Sequence, residues 1–102
     1  MAPDISIACK LTTAELQKRR SEVLERLKSA MINVTEIEDG FIYQFSSTAN
    51  QIAELGNLMA LEHQCCPFLR FRLTIEPGEG PAILELTGPE GTKDFLTALF
   101  AA

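Results

Sequence analysis

Ile32-Asn33-Val34-Thr35-Glu36-Ile37-Glu38-Asp39-Gly40-Phe41-Ile42-Tyr43-Gln44-Phe45 is the stretch that sets the fold class. It holds two runs rich in β-branched and aromatic residues, Ile32 to Ile37 and Phe41 to Phe45, around an Asp-Gly step. Glycine accepts positive φ without steric cost, so Asp39-Gly40 predicts a two-residue hairpin turn. In that register Val34 faces Phe45 and Glu36 faces Tyr43. Side chains alternate across a strand, which puts Ile32, Val34, Phe41, Tyr43 and Phe45 on the core face.

Helical patterns flank this hairpin. Thr12-Thr13-Ala14-Glu15 matches a capping box, in which hydroxyl and carboxylate satisfy the free amides of a first turn. A helix to about Ala30 follows, with Leu16, Val23, Leu24, Leu27 and Met31 on its apolar stripe. Arg20 falls in the middle of that stripe and Arg19 at its edge, so Arg20 needs a partner or a short path to solvent. After the hairpin, Ser46-Ser47-Thr48 supplies caps for a second helix, Ala49 to Gln64. Its stripe centres on Leu55, Met59 and Glu62 through Cys66, flanked by Ile52, Leu58 and Cys65. Gly56 suggests a close approach of a neighbouring element, and Leu61 points away from the stripe as a hint of a partner surface. Pro67 disfavours helix for Cys66 and ends the element there.

Leu69, Phe71, Leu73 and Ile75 alternate with Arg70, Arg72, Thr74 and Glu76, a half-buried strand. Pro77-Gly78-Glu79-Gly80-Pro81 is a loop, Ala82 to Thr87 the return strand, and Gly88-Pro89 opens a short final helix. At the other end, Ile5-Ser6-Ile7-Ala8-Cys9 alternates as a first strand. The order βαββαββα predicts an α+β fold. It reads as a ferredoxin-like two-layer sandwich (βαββαβ) extended by a C-terminal strand and helix. A repeated helix–hairpin unit, residues 13–45 and 49–87, is the competing description.

The totals narrow the function classes. A chain of 102 residues reads as a single domain over 1–102, and 46% hydrophobic with 23% charged residues is ordinary globular composition. A net charge of −5 argues against capture of nucleic acid or anionic membrane by bulk electrostatics. No apolar run approaches the roughly 20 residues of a membrane span, and the N-terminus does not read as a secretory signal. The expected location is cytoplasmic, where the three cysteines are expected to be thiols. An open sheet face and Leu61 make a homodimer the expected partner, with no nucleic acid or membrane.

Reactive side chains concentrate in Glu62-His63-Gln64-Cys65-Cys66-Pro67-Phe68. Glu62, Cys65 and Cys66 stand at i, i+3 and i+4, neighbouring positions on one helix face. A ferredoxin-like sheet would also bring Cys9 to the same end. Up to three thiolates suit a soft or borderline ion: zinc, copper(I) or mercury(II). There is no Cys-x-x-Cys zinc signature, and a Cys65–Cys66 disulfide would be strained, since consecutive Cα atoms lie only about 3.8 Å apart. Glu62 on a buried stripe calls for compensation, and Arg20 is its expected partner. His63, at the stripe's edge, reads as a solvated histidine more readily than as a ligand. Arg70 and Arg72 alternate with Glu76 on the outer sheet face. Gly88-Pro89-Glu90-Gly91-Thr92-Lys93 lacks P-loop spacing and reads as turn and cap.

Cys9-Lys10-Leu11-Thr12, Ala14-Glu15-Leu16 with Arg19-Arg20, Glu62 with Cys65-Cys66-Pro67-Phe68, and Leu86-Thr87-Gly88-Pro89-Glu90-Gly91 together resemble a family of small uncharacterised bacterial proteins. The resemblance spans nearly the whole chain and implies that Cys9, Cys65, Cys66 and Glu62 act as a unit. The expected function is a thiol site for a soft metal or metalloid ion, with Cys9, Cys65 and Cys66 as ligands and Glu62, Arg20 and His63 in support. The alternatives are a thiol redox or transfer enzyme, and a non-catalytic dimeric interaction module with structural cysteines.

Overall fold

The computed structural model describes residues 13–100, as α1 (Ala14–Ala30), β1 (Asn33–Ile37), β2 (Gly40–Phe45), α2 (Ala49–Cys65), β3 (Arg70–Ile75), β4 (Ala82–Thr87) and α3 (Thr92–Leu99). Residues 5–9, read above as a first strand, and Cys9 with them, lie outside the described residues. The four strands form one antiparallel sheet in the order β1-β2-β4-β3. This departs from the ferredoxin-like expectation. The return strand β4 is central, paired with both β2 and β3, where that topology would put the first strand. Two helix–hairpin units, α1-β1-β2 and α2-β3-β4, meet through their second strands, the arrangement of the competing description. The physical reason is local: each hairpin closes over a short connection, and the two most apolar strands then bury each other's edge.

Among the described residues, helices cover one face of the sheet, as is common for antiparallel sheets. Tyr43 and Phe45 of β2 and Ala82, Leu84 and Leu86 of β4 are buried against Val23, Leu24 and Leu27 of α1, Leu55 and Leu58 of α2, and Leu96 of α3. Phe100 stacks on Tyr43 at a centroid distance of 4.5 Å, and Phe95 meets Phe68 edge-on at 5.0 Å. The other face carries Thr35, Arg70, Arg72 and Thr74, all exposed. There Arg72 approaches Glu85 of the neighbouring strand at 3.7 Å.

Several local expectations shift. The helix α1 cap is Thr13, whose hydroxyl accepts from Leu16 N at 3.2 Å, so Glu15 does not fall at the capping-box position. The first hairpin turns at Glu38 and Asp39, with Ile37 opposite Gly40, Val34 opposite Tyr43 and Glu36 opposite Phe41. That is a slide of two residues, which preserves the inside–outside alternation and therefore the burial of Tyr43 and Phe45. Ile32 and Val34 are nevertheless 60% and 47% exposed, because β1 is an edge strand beyond the cover of α1 and α2. Leu61 is 7% exposed, not a surface residue. Helix α1 packs beside α2 and widens its buried arc to Leu55, Leu58, Leu61, Glu62 and Cys65, leaving Met59 at the margin. Pro89 precedes α3 rather than starting it; Gly91, at φ 97°, is the cap residue.

Two glycines have roles other than those their sequence context suggests. Gly40 has no positive φ; it is a strand residue at which β4 approaches closely. A Cβ there would run into the Leu86 carbonyl oxygen and lie 2.9 Å from Thr87 Cα. A Cβ on Gly56 would meet nothing within 4 Å, so no neighbour requires its small size. Gly40→Ala is therefore expected to cost about 2–3 kcal/mol of stability through displacement of the β2–β4 ladder, whereas Gly56→Ala should stabilise by about 1 kcal/mol from helix propensity alone. Urea unfolding of the two variants against the parent checks both signs.

Candidate functional site

The site begins with a helix that stops. Helix α2 carries Glu62 and Cys65 on its buried face and ends at Cys65. Cys66, at φ −124° and ψ 78°, is already outside helical geometry, although its amide still donates to Glu62 O at 2.6 Å. Leu69 N donates to Cys66 O at 3.1 Å, closing a turn through Pro67 and Phe68 that leads into β3. On a regular helix the side chains of adjacent residues diverge by about 100°. The break at Cys66 lets both sulfurs remain on the core side, and both cysteines are 0% exposed.

Glu62 joins the two helices to the thiol. Its carboxylate is fully buried and accepts from Arg20 Nε at 2.5 Å and Arg20 Nη2 at 3.3 Å. Arg20 keeps 17% of its side chain in solvent, so the guanidinium sits at the margin of the core with its fork turned inward. The Cys66 thiol donates to Glu62 Oε2 at 3.0 Å, one helical turn away from it in sequence. One buried carboxylate thus holds a guanidinium from α1 and a thiol from its own helix end. Burial pushes the Cys66 thiol up to about 12, helped by its bond to Glu62 and the Glu62 charge and opposed by Arg20. Cys66 is therefore a protonated donor at neutral pH.

Ligand atoms of Glu62, Cys65 and Cys66 all lie within 4.8 Å of one another, and this buried group can hold a metal ion. Cys66 is a free thiol. Cys65 is in a disulfide, against the expectation of three thiols, and Cys66 is not its partner. The two roles of Cys65 compete for one sulfur: it ligates an ion only after reduction. The structure thus brings together Glu62, Cys65, Cys66 and Arg20. His63 is exposed, its ring edge-on to Phe71 at 6.4 Å, and it is not a member of the cluster. Arg70 and Arg72 lie on the opposite sheet face. The sequence signal for the whole group was the coincidence of two charged residues, Arg20 and Glu62, on stripes that both face the core.

The loop before α3 has a packing role. Gly88 admits the Thr92 side chain, whose hydroxyl would lie 2.5 Å from a Cβ at that position. No protein-family model, curated protein or solved structure matches the chain. No helix among the described residues is long and apolar enough to cross a membrane.

The Arg20–Glu62 pair makes an energetic statement that mutation can check. Removing one partner leaves the other charge uncompensated, while replacing both by apolar side chains removes the desolvation cost as well. Arg20→Met is expected to lose about 3 kcal/mol in urea unfolding. The Arg20→Met/Glu62→Met double variant should recover most of that loss. A double variant as unstable as the single one would show that Glu62 is not the source.

Proposed function

We propose that the protein is a cytoplasmic thiol-site protein that binds a soft metal or metalloid ion through Cys9, Cys65 and Cys66, with Glu62 held behind the thiols by Arg20. The observation that carries this reading is the mutual approach, within 4.8 Å, of ligand atoms from three fully buried residues, two of them cysteines. A buried carboxylate on a helix face is costly to assemble unless something compensates it, and Arg20 does so here. Cys9 enters as the third thiol because it is the chain's remaining cysteine. The ion-binding form is the reduced one, as a reducing cytoplasm would maintain it. Thiol transfer at Cys66 is less well supported: its sulfur is fully enclosed and protonated at neutral pH.

Native mass spectrometry of the reduced chain with mercury(II) tests the proposal. One ion per chain is expected, with uptake by Cys65→Ser weakened at least about tenfold, the scale of losing one ligand or its support. The chain before reduction should bind less than the reduced chain. Uptake unchanged in Cys65→Ser would remove the basis for the site.

A further inference from the structure

The disposition of Glu62 bears on which ion the cluster accepts. We propose that the site is selective for thiophilic ions of low coordination number, mercury(II) and copper(I), over zinc, and that it coordinates them through sulfur alone with Glu62 outside the shell. This rests on the metal-binding reading above and narrows it.

Both oxygens of Glu62 are already engaged. Oε1 accepts from Arg20 Nε at 2.5 Å, and Oε2 accepts from Arg20 Nη2 at 3.3 Å and from Cys66 Sγ at 3.0 Å. Turning the carboxylate onto an ion would break the fork to Arg20 and leave that guanidinium without its carboxylate partner at the margin of the core. When Cys66 binds an ion, by contrast, only its own proton is displaced from Oε2, and the contact to Arg20 is kept. Glu62 is thus a positioning residue that fixes Cys66 from behind.

The surroundings offer no replacement ligand. Among the described residues, Glu62, Cys65 and Cys66 are the whole group of metal-ligating side chains at this place. His63 faces Phe71 at the exposed surface. Phe68 and Leu69, which follow the cysteines, are 5% and 8% exposed, and both cysteines are 0% exposed. Zinc in proteins takes four ligands in tetrahedral geometry, drawn from sulfur, nitrogen, carboxylate oxygen or water. Two sulfurs here, or three with Cys9, leave that shell incomplete without the carboxylate or water. Soft ions are satisfied by two or three thiolates and gain little from a hard oxygen.

The step balances simply. A phosphine reductant and water convert the Cys65 disulfide into two thiols and phosphine oxide; each sulfur that then binds the ion releases one proton to solvent. The reduced full chain, freed of phosphine, is offered one equivalent of mercury(II) or copper(I) together with one equivalent of zinc(II), and native mass spectrometry reads what is retained. Retention of the soft ion with at least a tenfold preference over zinc is expected. X-ray absorption at the metal edge of the parent protein gives the shell independently of any variant, and sulfur scatterers alone are expected. Zinc retained equally well, or an oxygen or nitrogen scatterer in the first shell, would overturn the sulfur-only site while leaving a thiol site in place. Retention of no ion at all would overturn this inference and the proposed function together.

Discussion

The contact between the Arg20 guanidinium and the Glu62 carboxylate is the constraint on which the arrangement of this molecule depends. Helices α1 and α2 pack side by side over the sheet, and among the described residues no other charged side chain is buried there. A carboxylate with no solvent access tolerates few alternatives: it is paired, it is protonated, or the helix that carries it moves. With Arg20 donating twice, the pair ties α1 to α2 at one point along their interface. The Arg26–Glu54 pair, at 2.7 Å, lies along the same interface but is solvent-exposed, where such contacts contribute little. The buried pair is therefore the polar tie that matters between the two helices, and the apolar contacts of Val23, Leu24, Leu27, Leu55 and Leu58 supply the adhesion.

Burial first, and then the same pair, sets the state of Cys66. A thiol next to a buried carboxylate alone would face a full negative charge, and a thiolate there would be strongly opposed. Arg20 reduces that opposition without removing it, so the thiol stays protonated and donates. Stability has a corresponding pH dependence. The folded state retains the Cys66 proton up to about 12, whereas an unfolded cysteine releases it near its ordinary value of 9.0. Between those limits the folded chain binds more protons than the unfolded one, so stability present below the lower limit is lost as pH rises through the window.

Much of this was legible in the sequence, and the parts that were not have identifiable causes. The limits of α1 and α2, the inward face of β2 and the Arg20–Glu62 pairing followed from periodicity and from the cost of burying charge, both of which act along a single element or a pair of stripes. The register of the first hairpin did not follow, because Gly40 has two possible uses. Asp-Gly is a turn signal, but here the glycine is required by the close passage of β4 at Leu86 and Thr87, a contact more than forty residues away in the chain. Strand order was missed for the same kind of reason: local pattern defines strands, whereas the choice of β4 over an N-terminal strand as the neighbour of β2 is a tertiary outcome. Leu61 was misplaced because a helix flanked by both a sheet and another helix buries a wider arc than a single stripe describes.

The placement of proline after two cysteines connects the fold to the site. Two adjacent cysteines within a helix would send their sulfurs to different faces, and a metal would meet only one. Pro67 lacks an amide hydrogen and crowds the residue before it, which makes continuation of the helix at Cys66 unfavourable. Cys66 consequently leaves the helix while its amide remains tied to Glu62 O, and its sulfur comes to rest against the carboxylate of that same residue. Two backbone and side-chain bonds to one glutamate thus replace the geometry that the helix no longer provides. The order Glu-x-x-Cys-Cys-Pro is in this sense a single device. The glutamate sets the position, the proline releases the second cysteine, and the arginine from α1 compensates the buried glutamate.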